Sequence, residues 1–344
     1  MLKSLTSNSL AGGPLLVTGS AGFIGRHLVQ LLLERGYQVF GLDLRRSGVT
    51  HERFREIECD LRDGVGVVAA VQRCAPALMI HLAARTDLEE TRSLRGYDAN
   101  MEGVEHLIQA IRATRSLQRW ICTSSQLVCR VGYQPNGDED YRPATLYGES
   151  KVETERIVRR SDGGGITWSL VRPTTIWGPG MNAHYLRFFR MIQTGRYFHV
   201  GGGPRFKSYG YVGNTAWQYL RLAEAPAAAV HRRTFYLADY EPISLETWAD
   251  AFRAAAGAPT IRTLPLWAAR AAARVGDWLN FVGLRRFPFN SFRLANVLAE
   301  YVVELEPTRA VCGELPFTMH AGVEETARWL ESLGTTAQRP SSTA

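Results

Sequence analysis

Cysteine is sparse in this chain, and its few copies are arranged neither for bonding to one another nor for holding metal. Five occur in 344 residues, Cys59, Cys74, Cys122, Cys129 and Cys312, and none forms a Cys-x-x-Cys pair. That pattern excludes a disulfide-stapled scaffold and a zinc ribbon, and it predicts reduced thiols in a cytoplasmic protein. The eight histidines include no His-x-x-x-His spacing, so no metal site is expected.

Long apolar runs are missing too. The most apolar later segment, residues 264–284, is interrupted by Arg270, Arg274 and Asp277. It cannot span a bilayer, so no integral membrane segment is expected. It reads as an amphipathic helix packed on the protein's own core, with contact to a membrane surface as the alternative. Residues 1–13 carry one lysine and no long apolar core, and read as a loose leader rather than a signal peptide. The formal charge is +7, yet the basic residues come as scattered pairs such as Arg45-Arg46 and Arg159-Arg160. No nucleic-acid-binding module is recognisable, so no nucleic-acid partner is expected.

What is present begins with an apolar run, Leu15 to Thr18, followed by glycines three apart at Gly19, Gly22 and Gly25. Behind them Ile24, Leu28, Leu31 and Leu32 share one helical face. Strand, tight turn and helix in that order build a diphosphate cradle, because the turn backbone approaches closely and the helix start offers free N–H groups. A second apolar run, Val39 to Leu42, ends in Asp43, about 20 residues after the glycines, where a dinucleotide fold puts a carboxylate on ribose hydroxyls.

Further strands end at Asp60-Leu61, at His81-Leu82-Ala83-Ala84 and at Thr123-Ser124-Ser125, with a helix carrying Val104, Leu107, Ile108 and Ile111 between the last two. This alternation predicts an α/β fold with a doubly wound parallel sheet, and ligands in such sheets bind beyond the carboxyl ends of the strands. Asp43, Asp60, Ala83, Ala84 and Ser125 should therefore line one crevice. Tyr147 and Lys151, four apart at the start of a helix, share a face.

Together these motifs resemble the extended short-chain dehydrogenase/reductase superfamily, in its NAD-dependent epimerase/dehydratase branch acting on nucleotide sugars. The resemblance spans roughly residues 14–330, through the glycine turn, Asp43, Asp60-Leu61, His81 to Ala84, Asn100, Ser124-Ser125, Tyr147-x-x-x-Lys151, Arg172-Pro173, Gly178-Pro179 and the segment Lys207 to Asn214. It implies a Rossmann domain over 14–180 with a returning segment near 208–239, a smaller discontinuous substrate domain over 181–207 and 240–333, and a disordered tail over 334–344. It also implies a homodimer formed through the helices holding Ile108 and Ile157.

For the site, the resemblance implies Ser125, Tyr147 and Lys151 as catalytic residues. Cofactor contacts would come from Gly19, Gly22, Phe23, Ile24, Gly25, Asp43, Leu44, Arg45, Asp60, Leu61, Leu82, Ala83, Ala84, Asn100, Tyr147, Lys151 and Pro173. Substrate contacts would come from Arg85, Ser124, Gln126, Thr175 and Lys207. Tyrosine titrates near pH 10, so acting as a base near neutrality requires a lowering of roughly 3 units, or about 4 kcal/mol. A lysine ammonium at about 4 Å supplies about 4 kcal/mol at an effective dielectric of 20, and an oxidised nicotinamide adds a second positive charge.

Sugar dehydratases of this kind place Asp-Glu directly after the catalytic hydroxyl, whereas this chain has Gln126-Leu127, which cannot transfer the extra protons of an elimination. The resulting expectation is a nucleotide-sugar epimerase acting at C4 through a transient 4-keto sugar. A 4-keto-sugar reductase, a hydroxysteroid- or flavonoid-type reductase and a noncatalytic cofactor-sensing protein follow as alternatives. Asp43 favours NAD over NADP, although Arg45 and Arg46 are placed to hold a 2′-phosphate. Lys207 stands where the family usually has Arg, and Thr175 where it usually has Asn.

Overall fold

The computed structural model describes residues 13–181, 183–282 and 289–336. The expected leader, apart from Gly13, and the last eight residues of the expected tail lie outside these.

The chain divides into two compact units. The first runs to Thr174 and is completed by Val212–Ala238 and Glu304–Pro316; the second takes Thr175–Tyr211, Asp239–Val303 and the chain from Phe317. In the first, six strands β1 (Leu15–Thr18), β2 (Val39–Asp43), β3 (Phe54–Glu58), β4 (Leu78–His81), β5 (Arg119–Thr123) and β6 (Thr167–Pro173) join a seventh, Arg233–Leu237. The order across the sheet is Arg233–Leu237, β6, β5, β4, β1, β2, β3, and every pairing is parallel.

A parallel sheet needs cover on both faces, and β1 shows how the sequence arranges it. Leu15 and Val17 pack with Leu28, Leu32 and Leu220 in one core, while Leu16 packs with Leu42, Val71, Val104 and Leu107 in the other. Four helices alternate with the strands: α1 (Phe23–Glu34), α2 (Gly64–Cys74), α3 (Asp98–Ala113) and α4 (Leu146–Arg160). Their starts are set by local chemistry. The Asp63 side chain accepts from Gly66 N at 3.0 Å to cap α2, and Thr145 accepts from Gly148 N at 3.0 Å to cap α4. The expected doubly wound parallel sheet is the observed fold.

Ile108 and Ile157 are both buried within the first unit's own core, where α3 and α4 use them to cover the sheet. The segment Glu304–Pro316, expected in the substrate domain, belongs to the first unit. There Thr308 Oγ1 donates to the Tyr236 carbonyl at 2.7 Å, and the Cys312 thiol lies 3.6 Å from the Gln218 carbonyl.

The second unit holds an aromatic core in which Trp248 packs on Trp177, Phe188, Phe189 and Tyr209. Short strand pairs join Thr175–Trp177 to Tyr209–Tyr211 and Phe206–Lys207 to Ile243–Ser244. The segment expected to be an amphipathic helix packed on the core is the helix Leu266–Phe281; it packs through Ala269, Ala273 and Leu266, while Trp267, Val275, Trp278 and Phe281 are exposed.

Candidate active site

The glycine turn is fixed by the chain's own packing. Gly19 has φ +73°, and a Cβ there would lie 2.6 Å from Ala83 N, so the turn after β1 presses directly on the strand end of β4. At Gly25 a Cβ would lie 2.0 Å from the Gly19 carbonyl oxygen. Gly22 caps α1 without a side-chain hydrogen bond, and the first turn carries no acid, which leaves that helix start able to receive an anion. Phe23 and Ile24, the first residues of that turn, are half-buried.

Asp43 closes this cradle. Its Oδ2 accepts from Ala21 N at 3.0 Å and its Oδ1 from Arg45 N at 3.1 Å, so the carboxylate is held against the turn at the end of β2. Leu44 and Arg45 are exposed beyond it. Leu44 and Asp60 border a cleft of about 500 Å³ that runs on to Cys59 and α2. Asp60 is bound by Arg62, whose Nη2 lies 2.6 Å from Oδ2, and that bond holds the carboxyl below the usual range. Leu61 is buried under Gly103.

Between β1 and β4, Thr18 Oγ1 and His81 Nδ1 lie 2.7 Å apart, and Ala83 N donates to Thr18 Oγ1 at 3.3 Å. Burial, aided by the nearby Lys151 charge, pushes His81 down to about 3, so the imidazole is neutral. Leu82, Ala83 and Ala84 are half-buried as the chain leaves β4, and Pro173 is buried at the end of β6.

The end of β5 and the start of α4 bring Ser125, Tyr147 and Lys151 to one wall. Tyr147 is buried and is influenced by nearby Ser125, whose Oγ accepts from Leu127 N at 3.1 Å. Lys151 Nζ donates to the Thr123 carbonyl at 3.0 Å. Burial pushes Tyr147 up to about 12, with Ser125 acting in the opposite direction. Lys151 is not among the groups that shift Tyr147, its ammonium being directed to the Thr123 carbonyl. Burial also draws Lys151 down to about 8, against the raising influence of Cys122 and Glu155, which leaves it a cation at neutral pH.

Other expected residues are committed elsewhere. Ser124 Oγ donates to Glu155 Oε1 at 2.6 Å, inside the protein. Asn100 is fully buried: its Oδ1 accepts from Arg85 N at 2.8 Å, and its Nδ2 donates to the Arg85 carbonyl at 3.0 Å and to Ser150 Oγ at 3.1 Å. It braces the loop after β4 against α4 rather than facing a ligand. The Arg85 guanidinium pairs with Asp87, Nε to Oδ2 at 2.7 Å and Nη2 to Oδ1 at 3.1 Å, and lies over Tyr97. Gln126 is buried in the short turn Gln126–Val128. Thr175 and Lys207 lie in the second unit, where Lys207 Nζ donates to the Asn296 carbonyl and burial lowers its pKa.

Sequence reasoning overlooked Glu155. This fully buried carboxylate accepts from Arg172 Nε and Nη2, each at 2.8 Å, from Tyr141 OH at 3.0 Å and from Ser124. The signal was available, since Glu155 sits one helical turn beyond Lys151 on a face shared with buried Val152 and Val158. The described residues hold no cluster of metal ligands, and all five cysteines are free thiols.

A parallel sheet with a glycine turn at the end of β1, an acid at the end of β2 and a Ser/Tyr/Lys wall at the end of β5 defines an extended short-chain dehydrogenase/reductase. Residues 15–238 match the NAD-dependent epimerase/dehydratase family, and the chain belongs to that family. A 3-beta-hydroxysteroid dehydrogenase of Mycolicibacterium neoaurum is 32% identical over 270 residues, which cover 73% of this chain and 72% of the relative. A 2-alkyl-3-oxoalkanoate reductase of Stenotrophomonas maltophilia is 26% identical over 92% of this chain and 98% of its own. Among solved structures, the UDP-glucose 4-epimerase of Thermotoga maritima overlays with a TM-score of 0.72 at 18% identity, over 93% of this chain and 99% of that one.

Proposed function

We propose that this enzyme interconverts a secondary alcohol and a ketone with NAD, on a bulky and largely apolar substrate such as a hydroxysteroid or an alkyl-substituted oxo acid. The observation that carries the chemistry is Ser125 beside buried Tyr147, with Gln126 and Leu127 next to it in place of an acid and a base. Such a site can move one proton at one oxygen and cannot eliminate water.

The glycine turn, the uncapped start of α1 and Asp43 fit a dinucleotide, and the Leu44/Asp60 cleft fits its adenosine end. When bound, NAD supplies hydride acceptance and return. Ser125 holds the substrate oxygen, Tyr147 takes or returns its proton, and the Lys151 charge favours the tyrosinate once Tyr147 releases that proton. The carboxylate of Asp43 disfavours the extra phosphate of NADP. The free thiols support a cytoplasmic location within the same reading.

The apolar substrate class rests on the steroid dehydrogenase, 32% identical, and on the oxoalkanoate reductase, matched over 92% of this chain. Arg85, bound to Asp87, is not poised for a sugar diphosphate. The epimerase reading keeps one specific support: among the described residues the Lys207 amine in the second unit donates only to the Asn296 carbonyl, which leaves donors for a diphosphate. The deciding experiment gives the purified protein NAD with a 3β-hydroxysteroid, a 3-hydroxy-2-alkylalkanoate and UDP-sugars in turn. Absorbance follows NADH, and NMR follows the sugar. NADH formation with an apolar alcohol is expected; a changed sugar with no net NADH establishes the epimerase instead.

A further inference from the structure

The helix Leu266–Phe281 inverts the usual amphipathic arrangement. Its buried side carries Ala269, Ala273 and Gly276, and this small-residue side belongs to the cluster formed with Leu294 of the next helix, Ser291–Leu298. Its outer side carries Trp267 and Trp278, 75% and 61% exposed, and Phe281, 88% exposed. Phe292, 73% exposed, opens the following helix. Soluble surfaces do not gather four large aromatics on adjoining helices without a use for them.

Charge identifies the use. Arg270 and Arg274 are exposed on the same outer side and make no ion pair among the described residues. The helix's one acid, Asp277, is occupied by Ser291, accepting from its backbone N at 3.1 Å and from its hydroxyl. The patch therefore presents aromatic rings beside unopposed guanidinium groups. That combination matches the headgroup region of an anionic bilayer, where rings sit at the acyl boundary and arginines meet phosphates. A helix of 16 residues with this face lies on a membrane, and no described helix is long and apolar enough to cross one.

We propose that the helix Leu266–Phe281, together with Phe292, docks the enzyme on an anionic phospholipid surface. This does not depend on which substrate the site takes.

The test is co-sedimentation of the full chain with phosphatidylcholine vesicles with and without phosphatidylglycerol. Binding is expected only with phosphatidylglycerol, and it should weaken as salt rises. The Trp278→Ser/Phe281→Ser variant removes exposed apolar groups without opening the core, and should bind at least about tenfold more weakly with an unchanged melting temperature. Arg270→Glu/Arg274→Glu should weaken binding by about tenfold or more. No binding to either vesicle overturns the proposal. So does equal binding by wild type and both variants, or a dimer that the serine variant dissolves and vesicles do not compete with.

Discussion

Ser125 stands beside Tyr147 and accepts from Leu127 N at 3.1 Å, while Ser124, its neighbour, turns the other way and donates to Glu155 at 2.6 Å. Two adjacent hydroxyls at the end of one strand thus serve opposite sides of it. Ser125→Ala is expected to lower kcat by about 10²-fold or more, because the hydroxyl that positions the substrate oxygen is gone. Ser124→Ala removes one of several donors to a buried carboxylate, so it should lower stability by about 1.5–3 kcal/mol and leave kcat within a few-fold. Steady-state kinetics with thermal melts separates them, and the reverse pattern transfers the role to Ser124.

Lys151 is a buried cation drawn down to about 8. A lysine whose folded pKa is depressed opposes folding while it is charged in the native state. That penalty is full below pH 8 and fades between about 8 and the unfolded value near 10.5, where the unfolded chain still holds the extra proton. Lys151→Met should therefore be more stable than wild type at pH 7, by about 1–3 kcal/mol after loss of the Thr123 bond, and inactive. Denaturant melts across pH 7 to 10.5 should show the advantage shrinking; an advantage that grows with pH contradicts the assignment.

Glu155 and Arg172 form a buried ion pair with two contacts at 2.8 Å. Arg172→Met alone should destabilise by about 3–5 kcal/mol, since it leaves a buried carboxylate with hydroxyl partners and only a 3.8 Å contact to Arg159 as counter-charge. Adding Glu155→Gln should recover part of that loss in a double-mutant cycle. Full additivity of the two changes would show that the residues do not act as a pair.

Asp43 is held by the amides of Ala21 and Arg45. Asp43→Asn should weaken NADH binding by about tenfold and narrow the gap to NADPH, as read by cofactor fluorescence titration. Unchanged NADH affinity would remove Asp43 from the cofactor site.

Much of the fold was legible because it follows from periodicity. Four buried residues such as Leu15–Thr18 have to be a covered strand, and the glycine spacing sets the turn after it. Ser125, Tyr147 and Lys151 were legible as a pattern. The state of that pattern was not, since spacing places Tyr147 and Lys151 on one face but does not say that the ammonium turns to the Thr123 carbonyl. The internal partners of Asn100 and Ser124 were not legible, since they lie 15 to 50 residues away in sequence. For helix Leu266–Phe281 the amphipathic pattern was legible, but sequence alone does not say that its small-residue side is the one the neighbouring helix covers.

The short helix Glu306–Cys312 gives the first unit a particular order of assembly. As the chain is synthesised, β1 to β6 and Arg233–Leu237 all emerge before it. Until it arrives, the Tyr236 carbonyl lacks the Thr308 hydroxyl and the Gln218 carbonyl lacks the Cys312 thiol. The dinucleotide-binding half, first in sequence, is thus among the last parts to be finished on the ribosome. A continuous N-terminal fragment that stops before Glu304 lacks part of it, so its stability has to be measured on a chain that includes these late residues.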